Sequence, residues 1–339
     1  MLVIISKSYC SPFITGPNKV VKSLVKGLGL IKFPYLINKQ PIEGDVVWFH
    51  DDVKALVRFQ NECNLGTCIV GPNISLTDNC DIDHTNIILL QPSVWANQFC
   101  RQYRYDKSPT VVWAAGVDSE AFSRDDKQNR STVLIYFKQR FEYELNMVEN
   151  FLKNRNIKYD VIRYGSYKEE DYKKLLNTTK YVIWIGRQES QGIALLEALA
   201  MGVPMVVWDV LCAGHWNPVS KNDKKFFSQG ETAFDGATSC PYFNTDCGYV
   251  EKNFDELKNK ISLMETNFLS FDPSKYVRDN LSPEKQAKVF LEILKKSVND
   301  FTERTVSDTV IRRNWRNYKI WSMLYQIRSS LNGIRKLFK

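Results

Sequence analysis

Three observations predict an α/β protein of two doubly wound, Rossmann-like domains that face a cleft, followed by a C-terminal amphipathic helical tail. Apolar runs of strand length alternate with helical patterns near the start of the chain, and the same alternation begins again further on. A polar segment at residues 123–132, without apolar periodicity, separates the two sets. The C-terminal segment is basic and amphipathic. We therefore expect domains over residues 1–125 and 131–298 and a tail over residues 299–339.

The first domain is expected to contain a parallel sheet with helices between its strands. We predict strands at residues 2–6, 45–49, 67–70, 86–91 and 110–113, and helices at about 18–28, 51–61 and 93–103. Strands that alternate with helices are typical of consecutive βαβ units.

The second domain repeats this pattern. We predict strands at residues 133–137, 158–163, 181–185 and 204–208, and helices at 142–152, at 169–176, between 189 and 202, near 254–264 and near 283–296. The run at 181–185 is apolar throughout, which is typical of a parallel strand buried on both faces. Residues 209–250 fit neither pattern clearly.

The most informative segment runs from Glu189 to Pro204 and follows the buried strand at 181–185. It therefore lies at the carboxyl edge of the sheet, where open α/β sheets bind ligands. Glu189 and Glu197 are separated by roughly 12 Å along a helix axis, which suits one acid near the sugar and one near the ribose of a nucleotide sugar. The helix amino terminus between them attracts a diphosphate, and Gly192 leaves room for it. The alternative is an ordinary strand–helix unit with surface acids.

The same segment resembles the signature of retaining glycosyltransferase family 4, also called group 1, whose members have the GT-B fold. An acid, a glycine three residues on, a second acid eight residues on and an alanine-rich helix ending in Gly-x-Pro all agree. The resemblance implies a retaining hexosyltransferase that moves a sugar from a UDP- or GDP-linked donor to a glycan or lipid-linked acceptor. It also implies that residues 1–125 lie on the acceptor side and that residues 131–298 bind the nucleotide sugar.

The resemblance assigns roles to five residues of the segment. It implies that Glu189 is catalytic and that Glu197 binds the ribose. Ser190, Gln191 and Gly192 are expected to bind the donor diphosphate. No metal and no other cofactor is implied, because the helix dipole and basic side chains hold the leaving diphosphate in this fold.

Two basic residues, Lys138 and Arg140, follow the strand at 133–137 at the same edge of the sheet. A Lys and a forked Arg at this position suit neutralisation of a diphosphate leaving group. The family usually places an Arg and a Lys in this loop, although the Lys-x-Arg order and tight spacing of this chain differ. A solvated loop is the alternative.

The first domain contributes two further candidates, Gly16 and His50. The segment around Gly16 resembles the glycine-containing loop with which the family approaches the donor, although a plain turn explains it almost as well. His50 follows the strand at 45–49, and the family often has a histidine near the acceptor and the sugar at such a strand end. A structural histidine is the alternative.

Cysteine and histidine usage argues against a metal site or a disulfide scaffold. The chain has 8 cysteines without a C-x-x-C pair and only 3 histidines. This usage fits a reducing cytosol, so we expect a cytoplasmic protein.

The basic excess of the chain lies in its tail. Residues 304–339 hold nine basic residues and one acid, which equals the whole net charge of +8. Apolar residues recur there at steps of three or four, and this pattern beside Trp, Arg and Lys predicts an interfacial helix on an anionic membrane surface. Packing onto the body or onto a partner chain is the alternative. No nucleic-acid motif is present, so we expect no nucleic-acid partner.

Two other functions remain open from the sequence. One is a nucleotide-sugar epimerase or phosphorylase of the same fold. The other is a non-catalytic module that binds a membrane surface. The presence of Glu189, Gly192, Glu197, Lys138 and Arg140 together favours an enzyme.

Overall fold

The fold was analysed in a computed structural model of the chain. It describes residues 1–62, 66–72, 82, 84–104, 108–125, 127–218 and 226–297. The predicted tail at 299–339 lies outside the described residues, so its helix and its membrane contact stay predictions.

The first sheet contains six described strands, all parallel, in the order β2-β1-β3-β4-β5-β6. The strands are β1 (Leu2–Ile5), β2 (Tyr35–Ile37), β3 (Val46–Phe49), β4 (Cys68–Val70), β5 (Ile87–Gln91) and β6 (Thr110–Val112). The sequence did not predict β2, because an edge strand of 3 residues is too short for a readable pattern. The helices are α1 (Gly16–Leu30), α2 (Val53–Glu62) and α3 (Val94–Tyr103).

The second sheet contains five described parallel strands in the order β11-β10-β9-β7-β8. The strands are β7 (Thr132–Lys138), β8 (Tyr159–Arg163), β9 (Thr179–Gly186), β10 (Met205–Trp208) and β11 (Gly248–Glu251). The helices are α4 (Glu142–Asn154), α5 (Glu169–Thr178), α6 (Ile193–Ala200), α7 (Phe254–Asn267) and α8 (Pro273–Leu281).

The central strands of both sheets are buried on both faces. In β1, Leu2 and Ile4 belong to one buried cluster, whereas Val3 and Ile5 belong to another, as the two-residue period of a strand requires. Strand β7 divides its side chains between two clusters in the same way. This two-sided burial confirms the prediction of two doubly wound α/β domains.

The last described helix, α9 (Pro283–Ser297), returns to the first domain. Its residues Ala287, Phe290 and Leu294 are buried in the same cluster as Leu24 of α1. The predicted boundaries place this helix in the second domain at residues 131–298, whereas its buried face packs on α1 of the first domain. Its apolar period predicts one buried face but does not tell which sheet that face covers.

Described parts of residues 209–250, which the sequence left unassigned, contribute apolar side chains to the contact between the two domains. Trp216, Phe227 and Phe234 form one buried cluster with Trp95 and Phe99 of α3. These apolar side chains meet a helix of the other domain rather than a neighbour in sequence. That is why no helical or strand period is visible there.

The return of α9 depends on a close backbone approach to α1. A Cβ atom on Gly27 would lie 2.1 Å from the carbonyl oxygen of Pro283, a distance that no folded side chain tolerates. Gly29 lies on the same helix with nothing within 4 Å of the same position.

These two glycines give a matched pair for mutation. We predict that Gly27→Ala lowers the free energy of unfolding by about 1–3 kcal/mol, because the overpacked contact forces α1 and α9 apart. Gly29→Ala should raise it by roughly 0.5–1 kcal/mol, because alanine favours a helix over glycine. Thermal and urea unfolding measure both. Equal effects of the two substitutions would contradict the close contact with Pro283.

Candidate active site

A cleft of about 720 Å³ lies between the two domains. The carboxyl ends of β3, β7, β8 and β9 and the amino termini of α1 and α6 contribute to its walls. It brings together most of the predicted site residues, namely Gly16, His50, Lys138, Glu189, Ser190, Gln191, Gly192 and Glu197. Arg140 is not among the residues that line it.

Helix α6 begins inside the cleft without a side-chain cap. Gly192 is its N-cap residue, with a left-handed backbone at φ 77° and ψ 48°, which glycine adopts without the steric cost of a Cβ atom. Because no side chain hydrogen-bonds to the helix start, the first N–H groups of α6 stay available for an anion.

A basic side chain and an acid meet beside this helix start. The ammonium of Lys138 lies 2.5 Å from Oε1 of Glu189, and both side chains are largely buried. The same ammonium lies 4.2 Å from the ring centroid of Tyr164. Lys138 is thus held near the helix start with a partner that a more negative ligand can replace.

The second acid, Glu197, is contacted by the first domain. Lys19 of α1 forms ion pairs with Glu197 and, at 2.7 Å, with Glu169 of α5. Burial raises the pKa of the Glu197 carboxyl to about 7, and the nearby Lys19 ammonium opposes this rise only in part. Burial lowers the pKa of Lys19, but its ion pairs with Glu197 and Glu169 outweigh burial and leave that pKa raised.

His50 is buried in the wall that the first domain contributes to the cleft, and its ring is oriented by polar neighbours. Its Nδ1 lies 3.1 Å from Oγ of Ser6 and 3.5 Å from Oδ1 of Asp51. The Asp51 carboxylate also accepts hydrogen bonds from the backbone N–H groups of Lys7 and Ser8, at 2.9 and 3.1 Å. Burial raises the pKa of Asp51, but the bonds to His50 and Ser8 outweigh it and bring it to about 2.

Arg140, which the sequence predicts to bind the diphosphate, makes structural contacts and is not among the residues that line the cleft. Its guanidinium is 1% exposed, pairs with Glu144 and donates to the carbonyl oxygens of Gly186 and Trp208 at 3.2 and 3.0 Å. It therefore ties together the ends of β9 and β10 and not a ligand. The acid four residues later is the sequence signal for this pairing.

Arg187 lines the cleft, and the sequence analysis did not single it out. It follows β9 directly, its guanidinium lies 5.0 Å from the ring centroid of Trp216, and its buried Nε has no hydrogen-bond partner among the described residues. A position directly after a buried strand at the carboxyl edge of the sheet is the signal that could have found it. Arg187 thus places a cation in the wall of the cleft, which Arg140 does not.

Gln191 and Trp95 connect the two walls of the cleft. The side-chain amide of Gln191 accepts from the N–H of Ala115 at 3.0 Å and donates to the carbonyl of Ala115 at 2.7 Å. The indole N–H of Trp95 donates to the carbonyl of Glu189 at 2.9 Å. The side chain of Gln191 is thus occupied by the first domain, and its backbone remains the part that faces a ligand.

The described residues contain no group of three His, Cys, Asp or Glu side chains arranged to hold a metal ion. None of the helices within the described ranges is long and apolar enough to cross a bilayer.

Comparison with known proteins identifies the fold. No family model and no curated protein matches the sequence. The sucrose-phosphate synthase of Thermosynechococcus elongatus matches with a TM-score of 0.54 and 10% identity, over 87% of this chain and 98% of the other. The lipopolysaccharide outer core galactosyltransferase WaaB matches with a TM-score of 0.54 and 10% identity, over 88% of this chain and 100% of the other.

The catalytic domain of starch synthase IV from Arabidopsis thaliana, bound to ADP and acarbose, matches with a TM-score of 0.52 and 8% identity, over 88% and 99% of the two chains. The chain spans 59% of the chain that it matches in the GtfA/B complex, with a TM-score of 0.45 and 12% identity over 77% of this chain. The three matches with TM-scores of 0.52 to 0.54 show that the chain has the GT-B fold.

The raised pKa of Glu197 makes stability depend on pH. Between pH 4.5, the ordinary pKa of Glu, and about pH 7, Glu197 is protonated in the folded state and ionised in the unfolded chain. The stability that this proton contributes is therefore fully present below pH 4.5 and is lost as pH rises through about 7. We predict that Glu197→Gln, which does not titrate, gains stability relative to wild type over this window, by on the order of 1–3 kcal/mol. Unfolding midpoints at a series of pH values measure this.

Glu169→Gln is the matched control for that experiment. The pKa of Glu169 is lowered from 4.5, because burial is outweighed by its bonds to Lys19 and Lys173. The stability contributed by the ionised Glu169 is therefore fully present above pH 4.5 and is lost only as pH falls below that value. A stability difference between Glu197→Gln and wild type that stays flat between pH 4.5 and 7 would contradict the proposed environment of Glu197.

The positions of Arg140 and Arg187 give a second prediction. Arg140→Met removes the guanidinium from the buried Glu144 carboxylate, which keeps only His215 at 3.2 Å and the N–H of Phe141 at 3.0 Å as described partners, so we expect a loss of about 3 kcal/mol of stability. Among the described residues the guanidinium of Arg187 stacks on Trp216. Arg187→Met should therefore lower the stability by less than about 1 kcal/mol. Unfolding midpoints compare the two variants. If Arg140→Met were as stable as wild type and lost only nucleotide affinity, the role first predicted for Arg140 would be right.

Proposed function

We propose that this chain is a retaining glycosyltransferase of family 4 that transfers a sugar from a nucleotide diphosphate sugar to a glycan or lipid-linked acceptor. The observation that carries the proposal is the Lys138–Glu189 pair beside the uncapped start of α6. A cation, an acid and free helix N–H groups within one cleft suit a diphosphate that is joined to a sugar. UDP- and GDP-linked sugars are the first donors to test.

The likeness to other GT-B structures supports a nucleotide and a carbohydrate as ligands. Starch synthase IV in that comparison is bound to ADP and acarbose. The acids of the cleft are consistent with such a pair of ligands. We propose that Glu197 binds the ribose hydroxyls and that Glu189 lies against the sugar.

The proposed reaction exchanges two bonds at the anomeric carbon on the same face of the sugar. The bond from this carbon to the diphosphate oxygen breaks as the bond to the acceptor hydroxyl forms, and the acceptor proton passes to the leaving phosphate. Lys138, Arg187 and the start of α6 stabilise the charge that develops on the diphosphate. Glu189 stabilises the positive charge that develops on the sugar ring, and His50 lines the acceptor side.

The proposed chemistry needs no metal ion, because cationic side chains and the helix dipole meet the charge of the leaving group. The competing functions make different predictions. An epimerase would change the donor without an acceptor, and a phosphorylase would transfer the sugar to phosphate. A non-catalytic module would bind without turnover.

The acids give the test of this proposal. We predict that Glu189→Gln lowers kcat by about 10²–10³-fold, because it removes the charge next to the reacting carbon. Glu197→Gln should mainly raise the donor KM, by a factor that corresponds to about 1–3 kcal/mol. Initial rates with UDP- and GDP-linked sugars and a glycan acceptor in EDTA measure both, and proton NMR of the product identifies the anomer.

Glu142→Gln is the control, because Glu142 lies on α4 outside the cleft and pairs only with the exposed Arg163. It should leave both kinetic constants unchanged. Wild-type activity that disappears in EDTA and returns with magnesium or manganese would contradict the metal-independent reaction. An inverted product would contradict the retaining one.

We also propose that the tail at residues 299–339 binds anionic lipid on the cytoplasmic side of a membrane and brings the cleft to a lipid-linked acceptor. The basis is the sequence pattern alone. Each Lys or Arg near such a surface contributes about 1 kcal/mol.

The full chain should therefore sediment with phosphatidylserine vesicles at low salt and much less at high salt. Replacing Arg312, Arg316 and Lys319 together by Gln should weaken this binding by on the order of 100-fold, because three such charges are lost. Neutral phosphatidylcholine vesicles are the control surface. Equal binding to both kinds of vesicle, or none to either, would refute membrane docking of the tail.

A further inference from the structure

The first domain contacts the backbone of the candidate catalytic residue directly. Trp95 lies in the first turn of α3, and its indole N–H donates to the carbonyl oxygen of Glu189 at 2.9 Å. Its side chain is 4% exposed, so this bond is shielded from water and is costly to lose. A single hydrogen bond thus joins the wall formed by α3 to the loop between β9 and α6.

The rest of that loop has few other supports. Within the second domain, the N–H of Glu189 donates to the carbonyl of Thr238 at 3.0 Å, and its side chain pairs with Lys138. The Gln191 amide is bound across the cleft to Ala115. Two of the contacts that define this loop therefore come from the opposite domain.

Helix α3, which carries Trp95, and the residues just before it contact the second domain at two further points. The hydroxyl of Tyr242 donates to the carbonyl of Pro92, just before α3, at 2.7 Å. One turn further along α3, the ring of Phe99 lies 5.3 Å from that of Phe227 and 5.6 Å from that of Phe234. The indole N–H can therefore donate to the carbonyl of Glu189 only while α3 stays packed against the second domain.

The bond from Trp95 also determines where the next N–H group points. The peptide between Glu189 and Ser190 is planar, so fixing the carbonyl of Glu189 fixes the N–H of Ser190 on the opposite side of the same plane. That N–H belongs to the turn that leads into α6. A rotation of this peptide would disturb the acid and the donors of the helix start together.

We propose that Trp95 is a positioning residue. It couples the packing of the first domain against the second to the orientation of Glu189 and the adjoining turn. The effect on catalysis rests on the proposed function of the cleft, whereas the coupling itself does not. When α3 separates from the second domain, Glu189 loses the bond that orients its peptide. The catalytic arrangement is then complete only when the two domains are closed on each other.

The variant Trp95→Phe tests this, because it keeps an aromatic ring in the cluster and removes only the N–H. We expect kcat to fall by about 10-fold, which is the effect of one lost hydrogen bond of ordinary strength. The donor KM should change less than about 2-fold. Trp208→Phe is the matched control, because the indole N–H of Trp208 donates to the carbonyl oxygen of Lys252 at 3.2 Å, outside the cleft. That control should keep the kcat of wild type.

Hydrogen exchange supplies a readout that does not depend on activity. Peptides that cover residues 187–193 should exchange faster in Trp95→Phe than in wild type, and at the wild-type rate in Trp208→Phe. Faster exchange in a chain that turns over no nucleotide sugar would support the coupling and reject the proposed function. Unchanged exchange and unchanged kcat in a folded, active Trp95→Phe variant would overturn the inference. So would a rise in donor KM without a fall in kcat.

Discussion

The site depends on apolar contact between the two domains. Phe99 of α3 is buried against Phe227 and Phe234 of the second domain, and α9 returns from the second domain to cover α1. Burial of such aromatic side chains contributes far more than any of the polar contacts nearby. It keeps the carboxyl edges of both sheets facing each other, so that Lys19 and Trp95 reach the loop and helix of the opposite wall.

Two cations of the cleft each have an acid partner, whereas Arg187 stacks on Trp216. Lys138 pairs with Glu189, and Lys19 pairs with Glu197. Such pairs keep buried charges compensated before a ligand arrives. Under the proposed function, a diphosphate that enters the cleft replaces Glu189 as the partner of Lys138. A ribose bound to Glu197 would compete with Lys19 in the same way, which would link donor binding to contacts between the domains.

The sequence predicted the features that depend on neighbours along the chain. The segment from Glu189 to Pro204 was readable because its glycines, its proline and its helical period act locally. Contacts between residues that are distant along the chain could not be predicted from the sequence. Arg140 and Arg187 both follow a strand, and only the fold shows that Arg140 also donates to the carbonyl oxygens of Gly186 and Trp208. Trp216, Phe227 and Phe234 belong to no readable period because their side chains meet α3.

The central claim is that the Lys138–Glu189 pair beside the start of α6 forms the diphosphate site of a nucleotide-sugar enzyme. Calorimetric titration of UDP and GDP sugars into wild type and into Lys138→Met tests it most directly. The account predicts that one nucleotide sugar binds wild type and binds Lys138→Met at least about 10-fold more weakly, because a charge-assisted contact to the diphosphate is lost. Equal affinity for both proteins, or no binding to a folded wild type, would contradict it.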